Sequence, residues 1–175
     1  MTKEAWLQGV PFYIDERAIV PRSFIAELLV DGSIDYWLGE HTRQVLDLCT
    51  GNGSLAVLAA MAYPDVAVTG ADISAPALEV AAINVTRHAL DGRIRLVESD
   101  GLAALPGPWD LILCNPPYVN SGSMAASKLR GIEHQSVLTA HICTPIDASD
   151  RLDSKRVVGD FCMITFLFTG FSFSI

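Results

Sequence analysis

Residues 43–54 read Arg43-Gln44-Val45-Leu46-Asp47-Leu48-Cys49-Thr50-Gly51-Asn52-Gly53-Ser54. The first six residues are typical of a short buried strand, and the glycine turn after them leads into a helix predicted over Leu55–Met61. Gly51 and Gly53 permit a positive φ or a close approach of the backbone to a ligand, and the helix N-terminus offers unpaired N–H groups. The stretch therefore predicts a nucleotide-type binding turn between a strand and a helix.

The glycine turn does not match the dinucleotide fingerprint. No third glycine follows at the spacing that G-x-G-x-x-G requires, and Cys49 stands where the form D-x-G-x-G-x-G has its first glycine. These departures disfavour hydride transfer. A G-x-G pattern alone is common, so the neighbouring loops must decide what the turn binds.

A second strand is predicted over Val66–Ala71 and ends in Asp72, nineteen residues beyond Gly53. An acidic side chain at about this spacing is placed to accept both hydroxyls of a ribose. The alternative is a purely structural acid, because Ser74 is expected to cap a helix over Ala75–His88, where a negative charge near the N-terminus is favourable. The residues alone leave both interpretations open.

Two further strands are predicted, over Ile94–Glu98 and Trp109–Cys114. The first ends in Ser99-Asp100-Gly101 and the second in Asn115-Pro116-Pro117-Tyr118, so every polar cluster follows a strand. In an open α/β sheet, ligands bind in the crevice outside the carboxyl ends of the strands. We therefore expect these loops to line a single pocket.

The turn Asn115-Pro116-Pro117-Tyr118 suits a planar amino group. Each proline has a fixed φ and no N–H, so the turn can present carbonyl oxygens outward. The side-chain oxygen of Asn115 and the backbone oxygen of Pro116 can each accept one N–H of an amide or aromatic amine, and Tyr118 can lie against its flat face. This chemistry indicates methyl transfer onto nitrogen, and the alternative is a proline turn that merely ends a buried strand.

With these loops in place, the sequence resembles the class I S-adenosylmethionine-dependent methyltransferases and, among them, the protein-(glutamine-N5) methyltransferases. Residues 12–23, Phe12-Tyr13-Ile14-Asp15-Glu16-Arg17-Ala18-Ile19-Val20-Pro21-Arg22-Ser23, followed by Ile25-Ala26-Glu27-Leu28, are similar to the branch that methylates a glutamine of the third large-subunit ribosomal protein. The resemblance runs from about Glu4 to about Ala126. It implies an α/β fold with a Rossmann-like, parallel class I methyltransferase sheet, incomplete at its C-terminal side.

The resemblance also implies S-adenosyl-L-methionine as the cofactor, a ribosomal protein with a glutamine-bearing loop as the partner, and a set of site residues. The turn from Cys49 to Gly53 would wrap the methionine part, Asp72 would hold the ribose, and Asp100 and Gly101 would border the adenine. The cofactor-binding set is Asp47, Cys49, Thr50, Gly51, Asn52, Gly53, Asp72, Asp100, Gly101 and Asn115. Asn115, Pro116, Pro117 and Tyr118 form the catalytic set that grips the glutamine amide.

The chain is expected to divide into three parts. Residues 1–40 are a leading part that holds a hairpin and the remnant of a helical substrate domain, 41–126 are the methyltransferase core, and 127–175 are a divergent or frame-shifted tail. Related chains continue into three more strands. An alternative hypothesis is therefore an inactive truncated remnant. A sheet left with only four strands would expose the strand at Trp109–Cys114 as an edge, which is hazardous for an apolar strand.

The composition and charge of the chain limit the kinds of partner and ligand that are expected. The chain has 175 residues, half of them apolar, and a net charge of −8, which fits one domain and argues against direct nucleic-acid binding. No signal peptide is visible and the apolar end Phe161–Ile175 is too short to span a bilayer, so a cytoplasmic location without membrane contact is expected. The four cysteines form no C-x-x-C pair, which argues against a metal site and a redox couple, and Cys49 and Cys114 are expected to be small buried residues.

The predicted reaction is an in-line displacement in which an amide nitrogen attacks the methyl group. No strong base is visible, so positioning is expected to supply most of the catalysis, up to ~7 to 11 kcal/mol. The alternatives are a release-factor glutamine methyltransferase, and an adenine-amino methyltransferase acting on a flipped base. The acidic charge weighs against the latter.

Overall fold

The described part of the protein begins with a hairpin and continues as alternating strands and helices. The computed structural model describes residues 3–35 and 38–115 and, beyond them, the backbone of residues 141–142 and 162–165. The hairpin consists of β1 (Glu4–Leu7) and β2 (Val10–Tyr13). The later elements are α1 (Phe24–Val30), β3 (Gln44–Leu48), α2 (Ser54–Ala62), β4 (Ala67–Asp72), α3 (Ala75–Arg87), β5 (Ile94–Glu98), β6 (Leu111–Cys114), β7 (His141–Ile142) and β8 (Cys162–Thr165).

The four strands and two helices predicted between residues 43 and 114 are confirmed, with ends that differ by at most two residues. Local chemistry explains the agreement. Ser74 adopts an extended conformation and its side chain accepts a hydrogen bond from the Ala77 N–H, which starts α3 as predicted. Every residue of α2 from Ser54 to Ala60 is buried, which suits a helix between the sheet and the rest of the chain.

Six strands form the main sheet, in the order β5-β4-β3-β6-β8-β7. All neighbours are parallel except the last pair, β8 and β7. The chain moves from β3 outward to β4 and β5 and then returns to the other side of β3 at β6. The strand order therefore reverses between β3 and β6, and such a switch point opens a crevice at the carboxyl ends of the strands.

Strand β6 lies inside the sheet. Its residues pair with β3 on one side and β8 on the other, with Cys114 opposite both Leu48 and Thr165. The expectation that the strand ending at Cys114 forms the edge of a four-stranded sheet is therefore wrong. All four residues of β6 are buried, and an apolar parallel strand is stable only with both edges paired and both faces covered.

The two faces of the sheet bury different sets of side chains because side chains alternate along each strand. On one face, Val45, Val68, Leu111 and Leu113 pack with Phe12 of the hairpin and with buried residues of α1, α2 and α3. On the other face, Leu46, Leu48, Ala71, Ile112 and Cys114 pack with Leu105. Burial on both faces of the sheet fixes the register of β3, β4 and β6. This register sets the positions of the loops that follow the three strands.

Candidate functional site

The glycine turn has the backbone that its sequence predicts. Gly51 and Gly53 have φ values of 54° and 80°, and Cys49, which is not a glycine, has a φ of 60°. A Cβ atom on Gly53 would lie 3.0 Å from the Cβ of Ala81 in α3, whereas a Cβ on Gly51 would meet nothing within 4 Å. Gly53 therefore permits close packing of the turn on α3, and Gly51 leaves open space beside the turn.

Asp47 holds the glycine turn from beneath. Its carboxylate is completely buried, and its Oδ2 accepts hydrogen bonds from the Thr50 hydroxyl at 2.5 Å and from the Ala56 N–H at 3.0 Å. Burial raises the pKa of this carboxyl to about 7, although both hydrogen bonds act in the opposite direction. Oδ1 is also buried and has no hydrogen-bond partner among the described residues.

Asp72 links the turn to the neighbouring strand end. Its Oδ2 accepts from the Gly51 N–H at 2.9 Å, and its Oδ1 accepts from the Ser74 N–H at 2.9 Å. The Asp72 carbonyl oxygen accepts from the Ser99 N–H at 2.9 Å, which ties in the loop after β5. Asp72 thus has the structural role at the start of α3 that was one of its two interpretations, and each carboxylate oxygen retains a second lone pair for a ribose hydroxyl.

The loop after β5 lies at the same carboxyl edge of the sheet, beside Asp72. The buried hydroxyl of Ser99 donates to the Gly101 carbonyl oxygen at 2.8 Å and accepts from the Ala104 N–H at 3.1 Å. Gly101 has a φ of 57°, and the neighbouring Asp100 is exposed. The loop therefore presents the Asp100 carboxylate to solvent from a backbone that Ser99 fixes.

Asn115 follows β6 on the other side of the glycine turn. Its side-chain N–H donates to the Arg22 carbonyl oxygen at 3.0 Å, a contact between residues far apart in the sequence. Because the donor is the side-chain nitrogen, the other end of the amide is Oδ1, which can accept a hydrogen bond. Pro116, Pro117 and Tyr118 lie outside the described residues.

Cys49 and Cys114 meet where the strand order reverses. Leu48 and Cys114 are opposite each other in the ladder between β3 and β6, and Cys49 packs against the apolar cluster that contains Cys114. The interaction between the two neighbouring thiols lowers the pKa of Cys49 and raises that of Cys114. The expectation that Cys49 is a small buried residue is only partly right, because Cys49 is half-buried whereas Cys114 is fully buried.

The carboxyl ends of β3, β4, β5 and β6 thus carry the glycine turn, Asp72, the Ser99–Gly101 loop and Asn115, and hydrogen bonds join the first three of these to one another. A family model described as the methyltransferase small domain matches residues 27–136, a span that includes every one of these loops. The chain belongs to this methyltransferase family.

Curated relatives match about seven tenths of the chain. A ribosomal protein uL3 glutamine methyltransferase from Burkholderia pseudomallei is 52% identical over 134 residues, which cover 71% of the chain and 44% of the relative. A protein of the same name from Bordetella pertussis is 49% identical over 129 residues, which cover 72% of the chain and 43% of the relative. The chain therefore spans less than half the length of these relatives.

Solved structures share the fold of this methyltransferase. A 16S rRNA methyltransferase from T. thermophilus, solved with AdoMet and guanosine, has a TM-score of 0.51 and 23% identity, covering 69% of the chain and 33% of that protein. A human methyltransferase 10 domain containing protein has a TM-score of 0.50 and 17% identity, covering 66% of the chain and 59% of that protein. The α/β fold is therefore the Rossmann-like fold of class I methyltransferases.

The glycine turn of this methyltransferase has room and unused polar atoms for a cofactor with an amino-acid end. The buried Nδ2 of Asn52 and Oδ1 of Asp47 lack partners among the described residues. Side chains of the turn already accept from the start of α2, since Asn52 Oδ1 accepts from the Ser54 N–H at 3.3 Å and Asp47 Oδ2 from the Ala56 N–H at 3.0 Å. A carboxylate suits the Asn52 Nδ2 donor and an ammonium suits Asp47 Oδ1, so the residues fit the methionine part of S-adenosylmethionine.

Asn84 is a site-forming residue that sequence analysis of this methyltransferase did not find. Its completely buried amide accepts from the Tyr13 N–H at 2.7 Å and donates to the carbonyl oxygens of Tyr13 and Asn52 at 3.0 and 2.9 Å. It therefore fastens both β2 and the glycine turn to α3. The available signal was its position on the apolar stripe of α3, with Ala77, Val80 and Ala81, where a buried amide needs partners.

One further surface lies apart from this site. A shallow depression lies at the amino ends of β3, β4 and β5, beside Gln44, Thr69 and Arg93, and so on the opposite edge of the sheet. None of the helices in the described ranges has the length and apolar character needed to cross a bilayer. In the same ranges, no three side chains of His, Cys, Asp or Glu are grouped as metal ligands would be.

Proposed function

We propose that the chain transfers the methyl group of S-adenosyl-L-methionine to the side-chain amide nitrogen of a glutamine in a ribosomal protein. The observation that carries this proposal is the oriented Asn115 amide, which emerges from β6 directly beside the glycine turn. The names of the curated relatives, which are 48–52% identical to the chain, support the choice of glutamine and of the ribosomal protein uL3. A ribosomal-protein substrate would place the reaction in the cytoplasm.

The glycine turn is proposed to bind the cofactor. Asp47 Oδ1 and Asn52 Nδ2 would receive its amino-acid end, Cys49, Thr50, Gly51 and Gly53 would line the methionine chain, and Asp72 would accept from the ribose. Asp100 and Gly101 would border the adenine. When bound, S-adenosylmethionine supplies a methyl group on a positively charged sulfur, which makes that methyl open to attack.

Asn115 is proposed to position the acceptor nitrogen. An amide nitrogen is a poor nucleophile because its lone pair is shared with the carbonyl group. If one N–H of the glutamine donates to Asn115 Oδ1 and the other to the Pro116 carbonyl oxygen, the nitrogen faces in one direction, with Tyr118 against the flat face of the amide. Both hydrogen bonds strengthen as positive charge develops on the nitrogen, so they stabilise the transition state more than the bound substrate.

Residues 12–23 are proposed to contribute to this positioning. The Arg22 carbonyl oxygen, 3.0 Å from Nδ2, stops the Asn115 amide from rotating and keeps Oδ1 directed at the substrate. No strong base is needed, because the amide nitrogen becomes acidic once it carries the methyl group and solvent can then take its proton. Positioning of this kind contributes up to ~7 to 11 kcal/mol in well-oriented systems.

The surface beside Arg22 suits a protein substrate. Ile19 is 69% exposed and Val20 is 46% exposed, and both precede the carbonyl group that orients Asn115 by only a few residues. Exposed apolar side chains next to a reactive group favour contact with a polypeptide over contact with a highly charged phosphate backbone. The net charge of −8 favours a basic protein partner in the same way.

The decisive experiment is transfer of a labelled methyl group. The full chain is incubated with methyl-labelled S-adenosylmethionine and a bacterial lysate that lacks its own uL3 glutamine methyltransferase, and the labelled peptides are identified by mass spectrometry. We expect the label on one glutamine side chain of uL3, with no label when Asn115→Ala replaces the natural chain. A matched control, Thr42→Ala on the opposite edge of the sheet, should label as well as the natural chain.

Other outcomes would overturn parts of the proposal. Label on a release factor would leave the amide chemistry in place and change the substrate, whereas label on adenine would replace both. If the chain binds cofactor but labels nothing, the assignment of an active enzyme fails. If calorimetry detects no cofactor binding at all, the assignment of the glycine turn fails as well.

A further inference from the structure

We propose that Cys49 and Cys114 form a two-thiol modification site that a hydroperoxide, such as hydrogen peroxide, closes to an intramolecular disulfide. The formation of the disulfide does not depend on the proposed function, whereas its effect on cofactor binding does. The two residues flank the site, because Cys49 opens the glycine turn and Cys114 directly precedes Asn115. A bond between them would join the part proposed to bind the cofactor to the part proposed to bind the glutamine.

The topology of the sheet brings the two thiols together. Strands β3 and β6 are parallel neighbours, and Leu48 is opposite Cys114 in their ladder, so Cys49 leaves the sheet beside Cys114. The side chain of Cys49 packs against the cluster of Leu46, Leu48 and Cys114. Neighbouring strands lie about 4.8 Å apart and disulfides bridge Cα atoms about 4.4 to 6.8 Å apart, so two cysteines one residue out of register on adjacent strand ends meet the geometric condition for a disulfide.

The two thiols differ in the way that a sequential oxidation requires. Cys49 is half-buried, and the neighbouring Cys114 thiol lowers its pKa, which favours the thiolate, the reactive form. Cys114 is 4% exposed and keeps its proton, since its pKa is raised. Cys49 is therefore the thiol that meets the oxidant, and Cys114 is the thiol that resolves the product.

The chemistry balances with one equivalent of peroxide. The Cys49 thiolate attacks one oxygen of the peroxide, the O–O bond breaks, and a sulfenic acid forms while hydroxide leaves and takes up the proton that Cys49 released. The Cys114 sulfur then attacks the Cys49 sulfur, the S–S bond forms, the S–O bond breaks, and the oxygen leaves as water with the proton of Cys114. Two thiols lose two electrons, and hydrogen peroxide becomes two molecules of water.

Closure would deform the cofactor turn. A disulfide holds its sulfurs about 2.05 Å apart, which is much closer than two sulfurs that are not bonded to each other. Cys49 already has a φ of 60°, an unfavourable value for a residue with a Cβ, so the turn has little freedom to absorb the shift. The Thr50 hydroxyl and the Gly51 N–H, which Asp47 and Asp72 hold, are the next groups along the chain and would move with it.

Disulfide mapping tests the site directly. The reduced full chain is treated with hydrogen peroxide, free thiols are blocked, and the digest is analysed by mass spectrometry without reductant. We expect a peptide pair that joins Cys49 to Cys114, lighter by two hydrogen atoms than the two reduced peptides, and unchanged in a Cys143→Ser control. In Cys114→Ser the pair cannot form, so a sulfenic acid on Cys49 should accumulate and be trapped by dimedone.

The effect on cofactor binding is measured on the same samples. We expect the dissociation constant of S-adenosylmethionine to rise at least about tenfold on oxidation of the natural chain and to return with reductant. In Cys114→Ala, which removes the resolving thiol without adding a polar group, brief oxidation followed by thiol reductant should leave the constant at its starting value.

Three results would overturn the proposal. Oxidation that links Cys49 to Cys143 or Cys162 instead, or that leaves Cys49 as a dimedone adduct in the natural chain, would show that Cys114 does not resolve it. A clean Cys49–Cys114 disulfide with unchanged cofactor affinity would refute the coupling to the site. If neither the reduced nor the oxidised chain binds cofactor, the proposed function fails, and the mapped peptides still decide the two-thiol site.

Discussion

The two sides of the site are built in different ways. On the side proposed to bind the cofactor, hereafter the cofactor side, the glycine turn, Asp72 and the Ser99–Gly101 loop follow consecutive strands, and their hydrogen bonds join neighbouring strands. On the side proposed to bind the methyl acceptor, hereafter the acceptor side, Asn115 depends on the carbonyl oxygen of Arg22, which comes from residues before the sheet begins. The cofactor side is thus defined by local sequence, and the acceptor side is defined by the tertiary fold.

This difference predicts that the two sides can be damaged separately. The largest effect is expected for Asn115→Ala, which removes the acceptor oxygen proposed to orient the substrate. Methyl transfer should fall by at least about 10³-fold, to the background of the assay, while the dissociation constant of S-adenosylmethionine changes little. Single-turnover kinetics and calorimetry on the same preparation measure the two quantities.

An equal loss of cofactor binding in Asn115→Ala would break the comparison, because Asn115 would then serve both sides. The matched variant Asn115→Asp separates orientation from contact. It keeps oxygen acceptors but cannot donate to the Arg22 carbonyl oxygen, so it should also lose methyl transfer.

The buried Asp47 should make the cofactor side sensitive to pH. Below pH 3.8, the ordinary pKa of an aspartate, the Asp47 carboxyl is protonated in both the folded and the unfolded chain. Between pH 3.8 and about 7, the unfolded chain releases this proton and the folded chain keeps it. The stability contributed by Asp47 is therefore present at pH 4 and lost by about pH 7, by up to about 4 kcal/mol. Denaturant unfolding of the natural chain and of Asp47→Asn across this range measures the difference between them.

A natural chain that gains stability relative to Asp47→Asn as the pH rises would contradict this sign. It would mean that the carboxyl ionises readily in the folded state despite its burial. The Arg17 guanidinium holds the pKa of the Asp15 carboxyl well below its usual range, so the stability that Asp15 contributes changes with pH in the opposite direction. Because both proteins contain Asp15, its contribution cancels when their stabilities are subtracted.

Replacement of Asn84 is expected to affect both sides of the site, because its amide joins β2 to the glycine turn. Asn84→Ala leaves the Tyr13 N–H and two carbonyl oxygens without their partner and should lower the free energy of unfolding by about 3 kcal/mol. Ile83→Ala, at an exposed neighbouring position, is the control and should cost far less. Chemical denaturation of both variants checks the prediction, and equal costs would show that the buried amide is not the fastening point.

The variants Gly51→Ala and Gly53→Ala are expected to differ in stability and in cofactor binding, although both change the glycine turn. Both add a Cβ at a positive φ, but only the Cβ on Gly53 would press against Ala81, so Gly53→Ala should be less stable than Gly51→Ala by about 2 kcal/mol. Gly51→Ala fills the open space where the cofactor is proposed to lie and should weaken cofactor binding by about tenfold. Thermal unfolding and calorimetry measure these effects, and tight binding by Gly51→Ala would remove Gly51 from the site.

The smallest effect is expected for Arg22→Ala. The side chain of Arg22 is exposed, and Asn115 contacts only its backbone oxygen, so stability should change by less than about 0.5 kcal/mol and methyl transfer by less than a few fold. Steady-state kinetics with the uL3 substrate check this expectation. A large rise in KM would show that the guanidinium itself contacts the substrate.

The same difference explains what sequence could predict. The strands, the glycine turn and the Ser74 cap follow from periodicity and from local hydrogen-bond chemistry, and all of these predictions were confirmed. The contacts of Arg22 with Asn115 and of Cys49 with Cys114 depend on which strands become neighbours, and spacing along the chain contains no such information. The position of β8 beside β6 was missed for the same reason.

The hydrogen bond from Asn115 to a main-chain oxygen has an evolutionary consequence. Any amino acid at position 22 supplies the same oxygen, so the side chain there is free to drift while the path of the polypeptide is not. A saturation library at this position would score as tolerant, whereas a one-residue deletion in the neighbouring loop would silence the enzyme. Substitution tolerance and functional importance therefore diverge at this position.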